Sequence, residues 1–160
     1  MFRLQVIAVG RLKEKFYLDA AAEYAKRLAA FCDFRLIELP EERLPDNPSP
    51  AQIAAALARE AEAVRGKLQR GDFLCVCTPE GREFSSEELA GKLAELKLSG
   101  RSGACFVIGS SFGLDESLKR QADLRLSFSK MTFPHHLFRV MLLEQLYRAE
   151  SIQSGSRYHK

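Results

Sequence analysis

The segment ACFVIGSSFG, residues 104–113, is a near-continuous apolar run that stops at a glycine-containing loop. The segments LQVIAVG (4–10) and DFLCVCTPEG (72–81) have the same form. Continuous apolar runs are typical of strands buried on both faces, as in a parallel sheet covered by helices. Two more mixed segments, FRLIELP (34–40) and LRLSFSKM (124–131), are candidates for further strands.

Helical patterns fill the intervals between these strands. Apolar residues recur every three to four positions over 16–31 and 53–68. Residues 86–98 open with serines and glutamates, which is typical of a helix start, and residues 113–121 predict a short helix. The alternation of strand and helix predicts an α/β fold with a mostly parallel sheet flanked by helices, in a single domain spanning 1–160.

The composition is that of an ordinary globular protein, with 46% hydrophobic and 28% charged residues. No apolar run approaches the roughly 18 residues of a membrane span, and the first residues do not form a signal peptide, so we expect no membrane partner. Cys32, Cys75, Cys77 and Cys105 are predicted to be core thiols, which suits the cytoplasm. The CVC triplet alone is too weak to predict a metal site, so we expect no metal.

Positive charge is concentrated at the C-terminal end of the chain. The formal net charge is +3, and the residues from Lys130 onward carry five Lys or Arg against two Glu. The first 129 residues are therefore balanced, and all three histidines also lie in the last segment. This bias favours an anionic partner.

Residues 136–150 predict a helix with an unusually broad apolar side. That side carries Val140, Leu142, Leu143, Leu146 and Tyr147. Such a helix lies either deep in the core or against a second chain, and we predict the second case, a homodimer interface. Arg139 points into the apolar half, where an unpaired cation is costly. Two interpretations stay open: Arg139 snorkels or pairs with Glu150, or it faces an anion at a pocket beside the interface.

Three loops qualify as a ligand site because they follow predicted parallel strands: residues 78–84, 109–114 and 128–136. Ligands of open α/β sheets bind at the carboxyl ends of the strands. Gly109 directly follows a strand, where a side chain would block close approach of a ligand to the backbone. The sequence has no dinucleotide fingerprint, no phosphate-binding loop and no nucleophile elbow, so the patterns alone name no reaction.

Specific motifs carry a family resemblance that covers essentially the whole chain. They are SFSKMTFPHHLFRVMLLEQLYRA (127–149), FVIGSSFGL (106–114), RYHK (157–160) and VIAVGRLKEKFYLDAAAEYAKRL (6–28). These segments closely resemble the RlmH family, ribosomal large-subunit RNA methyltransferases of the SPOUT superfamily. The resemblance implies a homodimer and a C-terminal trefoil knot, with the knotted cofactor-binding part at about 72–160.

The resemblance also implies an activity. It implies S-adenosylmethionine (SAM)-dependent methylation at N3 of a pseudouridine in the large-subunit (23S) ribosomal RNA, on ribosomes in the cytoplasm. The positions that it assigns to SAM binding are Cys77, Gly109, Phe128, Ser129, Lys130, Met131, Thr132 and Phe133. Family members commonly have a second glycine where this chain has Ser110, and leucine is usual at the Cys77 position.

Four residues are candidates for the chemistry that this activity requires: His135, Arg139, Tyr158 and His159. The reaction needs the methyl group held in line with N3, a proton removed and charge stabilised on the ring. Histidine titrates near neutrality, which favours His159 or His135 as the proton acceptor, and arginine suits a phosphate or an oxyanion. Catalysis by positioning, without a dedicated base, is the competing interpretation. The family's dimeric arrangement suggests that the tail reaches the partner subunit's pocket.

Two other functions remain open on the sequence alone. The first is a ribosome-associated binding protein that has kept the fold without catalysis, although the intact Gly109 and FSKMTFPHH motifs argue against it. The second is a related methyltransferase acting on transfer RNA ribose. Such an enzyme would carry an arginine in the first of the three loops, residues 78–84. This chain has Arg82 at that place.

Overall fold

Five parallel strands form the central sheet of the computed structural model, which describes residues 1–159. The strands are β1 (Arg3–Val9), β2 (Asp33–Leu39), β3 (Phe73–Glu83), β4 (Gly103–Ile108) and β5 (Leu124–Ser127). Their order is β2-β1-β4-β3-β5, and all four neighbouring pairs are parallel. The three continuous apolar segments form the three central strands, and the two mixed segments form the edges. A central strand is covered on both faces, which explains the difference in sequence pattern.

Helices cover both faces of the sheet. They are α1 (Lys15–Leu28), α2 (Pro50–Arg65), α3 (Ser86–Leu98), α4 (Glu116–Gln121) and α5 (His135–Gln153). One core contains residues of α1, α3 and α5, and a second core on the opposite face contains residues of α2 and α4. Capping boxes begin α2 at Ser49 and α3 at Ser85. The predicted α/β class is confirmed, and no helix among residues 1–159 is long and apolar enough to cross a bilayer.

The broad apolar side of α5 belongs to the core of its own chain. Leu142, Leu143 and Leu146 are each 0% exposed and lie in the cluster between the sheet, α1 and α3. The prediction that this face is a homodimer interface is therefore wrong for these three leucines. Since a single chain already covers them, a charge at Leu143 would unfold the core and would not report on dimerisation.

Arg139 is fully buried and has partners that the sequence did not indicate. Its guanidinium pairs with the carboxylate of Glu38 at the end of β2, and its second terminal nitrogen donates to the carbonyl of Gly10 at 2.9 Å. Glu150 instead accepts from Nζ of Lys97, at 2.9 and 2.7 Å. The interpretations of Arg139 as a snorkelling residue or as a partner of Glu150 are therefore wrong.

The four cysteines are free thiols, and three of them are core residues as predicted. Burial raises the pKa of Cys32 and of Cys105 to about 12, so both thiols stay protonated. Cys77, at the end of the buried part of β3, is half-buried. Within residues 1–159, no group of three or more His, Cys, Asp or Glu side chains is placed to hold a metal ion.

Candidate functional site

The ends of β3, β4 and β5 at the carboxyl edge of the sheet, with the segments that follow them, surround one pocket of about 310 Å³. The predicted loop at 78–84 is mostly part of β3, and only its first two residues line the pocket. A volume of this size suits a small organic ligand. The pocket is lined by most of the residues named for SAM binding, namely Cys77, Gly109, Phe128, Ser129, Met131, Thr132 and Phe133, and also by His135. Lys130 belongs to the same loop, but it is exposed and does not line the pocket. The topology brings the loops together because β4, β3 and β5 are adjacent parallel strands.

Gly109 is required by a close contact within the chain itself. A Cβ atom there would lie against the carbonyl oxygen of Gly113, 2.7 Å from its carbonyl carbon and 2.8 Å from Cγ of Leu114. The loop folds back on itself, with the amide of Gly113 donating to the carbonyl of Ser110 at 2.8 Å. The sequence analysis expected Gly109 to leave space for a ligand, whereas the space beside it is filled by the protein's own backbone.

The 128–133 loop is held by local hydrogen bonds and an aromatic pair. The hydroxyl of Ser127 donates to the carbonyl of Ser129 at 3.0 Å, and the Ser129 hydroxyl accepts from the amide of Met131 at 3.0 Å. The rings of Phe128 and Phe138 lie 4.6 Å apart. These contacts fix the loop against the first turns of α5, so the pocket wall is preorganised.

His135 lies in the pocket lining at the first position of α5. Burial lowers its pKa, the neighbouring His136 lowers it further, and Glu41 opposes the shift. His135 is therefore a neutral imidazole at pH 7 and is able to accept a proton. The adjacent His136 faces away toward α1, where its Nδ1 lies 3.3 Å from the carboxylate of Glu14.

The C-terminal tail forms a second polar cluster, against its own helix α5. Glu144 accepts from the hydroxyl of Tyr158 at 3.1 Å and from Nε of Arg148 at 3.0 Å. His159 lies 3.1 Å from Arg148 through Nδ1 and 2.8 Å from Glu87 through Nε2. The tail residues are thus part-buried and hydrogen-bonded, and they do not line their own chain's pocket.

The roles of two members of this tail cluster were missed in the sequence. Glu144 and Arg148 are spaced i, i+4 on the polar side of α5, which is the spacing of a helical ion pair, so the sequence does contain a signal for this contact.

Burial raises the pKa of Tyr158, and hydrogen bonds with Tyr24 and Glu144 raise it further. Tyr158 therefore remains a hydrogen-bond donor at neutral pH and is not a proton acceptor.

An unpaired hydroxyl in the pocket wall bears on the expected cofactor. Thr78 is a residue of the pocket lining, and its Oγ1 is buried and has no hydrogen-bond partner among residues 1–159. A buried polar atom without a partner costs free energy, which a polar group of a ligand would recover. Together with the apolar wall of Phe128, Phe133 and Phe138, this hydroxyl fits a ligand with polar and apolar parts, as SAM has.

Comparison with known families assigns the class of protein that this fold and pocket define. The chain matches the family model described as "Predicted SPOUT methyltransferase" over residues 2–159. Because that match covers nearly the whole chain, the protein belongs to the SPOUT methyltransferase family.

Individual relatives carry a more specific name. A Moorella thermoacetica protein named "Ribosomal RNA large subunit methyltransferase H" is 46% identical over 160 residues, which cover 100% of both chains. A protein of the same name from Leuconostoc mesenteroides is 44% identical over 157 residues, 98% of this chain and 99% of the relative. Another, from Streptococcus equi subsp. zooepidemicus, is 44% identical over 158 residues, 99% of each. The resemblance of the chain to the RlmH family, expected from its motifs, is confirmed.

Proposed function

We propose that this protein methylates large-subunit ribosomal RNA, with SAM as the methyl donor and N3 of a pseudouridine as the acceptor. The observation that carries the proposal is the pocket at the carboxyl edge of the sheet, on a chain similar over its full length to proteins named as large-subunit ribosomal RNA methyltransferases. Because the substrate is part of the ribosome, we place the activity in the cytoplasm.

The pocket residues have distinct parts in holding the cofactor. Residues of the loops at 109–113 and 128–133 line the pocket, and the Thr78 hydroxyl offers a hydrogen bond. When bound, SAM supplies an electrophilic methyl group on its sulfonium. The protein therefore has to orient the uracil ring, exclude water and take up the proton from N3.

His135 and His159 are the two candidates for the proton acceptor. His135 is half-buried in the pocket and neutral at pH 7, so it is ready to accept a proton there. His159 is held by Arg148 and Glu87 at the tail, where it would act on the pocket of another subunit. We assign Arg139 a positioning role, because its terminal nitrogens are bound to Glu38 and to the backbone carbonyl of Gly10 and the residue does not line the pocket.

A homodimer would bring the tail of one subunit to the pocket of the other. A groove of about 470 Å³ runs between α1, α3 and α5, lined by residues that include Tyr24, Phe84 and Met141. Leu126 and Phe128 line both this groove and the pocket. A second copy seated in the groove would therefore lie directly beside the cofactor site, which is why we propose the groove, and not the buried leucines of α5, as the dimer contact.

Met141→Glu is expected to convert the homodimer into a monomer. The groove around this half-buried side chain is partly apolar, and covering an unpaired carboxylate there by a second chain is costly. Sedimentation should give about twice the chain mass of 18.0 kDa for the wild type and the single-chain mass for the variant. Leu98→Glu is the control, since Leu98 is 90% exposed at the end of α3 and should leave the dimer intact. A wild-type monomer at micromolar concentration would contradict the proposal.

We also propose that residues from about 72 onward form a trefoil knot within a single domain. The proposal rests on the family membership of the chain. Strand β3 pairs with Leu126 twice, through Cys77 and again through Arg82, so residues 78–81 form a bulge beside β5. A Cβ atom on Gly81 would lie 2.8 Å from the backbone of Arg125, which shows how closely this bulge packs against β5. Mechanical extension from both termini should stop short of the full contour length of about 3.3–3.6 Å per residue.

Methyl transfer to ribosomes tests the proposed function. Tritiated SAM is incubated with the protein and with ribosomes from a strain that lacks the modification, and the labelled base is mapped. Label at N3 of a large-subunit pseudouridine is the expected result. Binding of SAM without transfer would favour a non-catalytic binding protein, and label on transfer RNA ribose would favour the alternative substrate. That alternative depends on Arg82, which stacks 4.8 Å from the ring centre of Phe84 and does not line the pocket.

A further inference from the structure

Glu60 is a buried carboxylate of α2 that the proposed chemistry does not use. Its side chain is on the sheet side of the helix, and the residue is only 6% exposed. Oε1 accepts a hydrogen bond from the hydroxyl of Ser110 at 2.8 Å, and Oε2 accepts one from the backbone amide of Glu42 at 2.8 Å. One carboxylate thus joins α2, the segment after β2 and the loop after β4.

Ser110 links this carboxylate directly to the pocket. It follows Gly109, lines the pocket and is 6% exposed, and its carbonyl accepts the amide of Gly113 across the turn. The next residue, Ser111, is held in a similar way, since its hydroxyl donates to Glu41 at 2.6 Å. Both serines of the loop are therefore anchored by acidic residues from outside the pocket.

Charge and hydrogen bonds act in opposite directions on the carboxyl group of Glu60. Burial raises the pKa of Glu60, and the negative charges of Glu41 and Glu42 raise it further, whereas the bonds from the Glu42 amide and Ser110 lower it. Without Glu60, the buried Ser110 hydroxyl and the Glu42 amide would both lose their partner, which is unfavourable. The loop itself contains two glycines and two serines, small residues that offer little packing of their own.

We infer that Glu60 is a positioning residue for the cofactor pocket, which acts by fixing Ser110 and so the backbone of the 109–113 loop. The inference rests on the proposed function, because it assumes that this loop contacts SAM. It adds a residue of α2, on the side of the sheet away from α5, to the parts of the chain that set cofactor affinity.

Calorimetry with S-adenosylhomocysteine, the unreactive demethylated cofactor, tests the inference on the full chain. Glu60→Ala and Ser110→Ala are each expected to weaken binding about tenfold, the scale of one hydrogen bond to a charged group. The double variant should lose no more than Glu60→Ala alone, since the bond between Ser110 and Glu60 is already absent in that variant. In methyl-transfer assays, KM for SAM should rise while kcat changes little, whereas simple loss of folded protein would lower kcat at an unchanged KM.

Two further variants separate positioning from general stability. Glu60→Gln should bind like the wild type, because the amide oxygen can accept the Glu42 amide while its NH₂ group donates to the Ser110 hydroxyl, which is able to accept. Glu62→Ala is the matched control on the same helix, since the side chain of Glu62 is 73% exposed. If Glu60→Ala does not fold, Ser110→Ala and Glu60→Gln still decide the matter.

The outcomes distinguish this inference from the proposed function. A wild-type protein that does not bind S-adenosylhomocysteine would overturn the proposed function itself. Wild-type binding together with unchanged affinity in Ser110→Ala, or with independent and additive losses in the two alanine variants, would overturn the role of Glu60 alone.

Discussion

Gly109→Val is expected to abolish SAM binding, with the affinity falling below what calorimetry can measure. The new side chain would collide with the backbone of Gly113, where even a Cβ atom comes within 2.7 Å of the carbonyl carbon. The loop can accept it only by opening, and the opened loop no longer forms the pocket wall. Gly109→Ala should already cause a large loss, because the collision begins at Cβ.

Gly91→Ala is the matched control for this glycine. Gly91 lies inside α3, and a Cβ atom there would meet nothing within 4 Å. Alanine in a helix interior is favoured over glycine by roughly 0.5–1 kcal/mol, so this variant should bind SAM normally and melt slightly higher. A correctly folded Gly109→Val protein with wild-type affinity would place the cofactor site elsewhere on the molecule.

Deletion of residues 157–160 should lower methyl transfer about a hundredfold or more, the scale of losing one acid–base group. Tyr158 and His159 lie on the surface of α5 and α3 and outside both core clusters. Their loss is therefore expected to cost only about 1 kcal/mol of stability, from one aromatic pair and its hydrogen bonds. Dimer mass and cofactor affinity should stay close to those of the full chain.

Single substitutions in the tail separate proton transfer from positioning. His159→Gln keeps hydrogen-bonding groups toward Arg148 and Glu87 but cannot take up a proton near neutral pH, so it should lose most of the activity if His159 is the acceptor. Tyr158→Phe tests positioning, because it removes only the hydroxyl that donates to Glu144.

A tail-deleted dimer that methylates ribosomes at the wild-type rate would exclude His159 and leave His135 or solvent as the acceptor. In the case of His135, the pH profile of kcat/KM should extend to lower pH than for an exposed histidine. Burial lowers its pKa, so the imidazole stays deprotonated further into the acid range.

The sequence by itself determined the elements of the fold and the loops of the site. Continuous apolar runs mark the three central strands, and the serines and glutamates that open residues 86–98 mark the start of a helix, because these signals act within a few residues of the chain. The rule that ligands bind at the carboxyl ends of parallel strands then selected three segments that contribute to the pocket, although the first of them, 78–84, is mostly part of β3.

Only the tertiary structure decided which residues contact the apolar face of α5, Arg139 and Glu60. A periodic pattern shows that α5 has an apolar face, but not that its own sheet, α1 and α3 cover it. Arg139 bonds to Glu38, 101 positions earlier, and Glu60 bonds to Ser110, 50 positions later. These pairs form because the strand order sets β2, β1 and β4 side by side. Contacts of that kind depend on how the layers assemble, and no local pattern of residues encodes them.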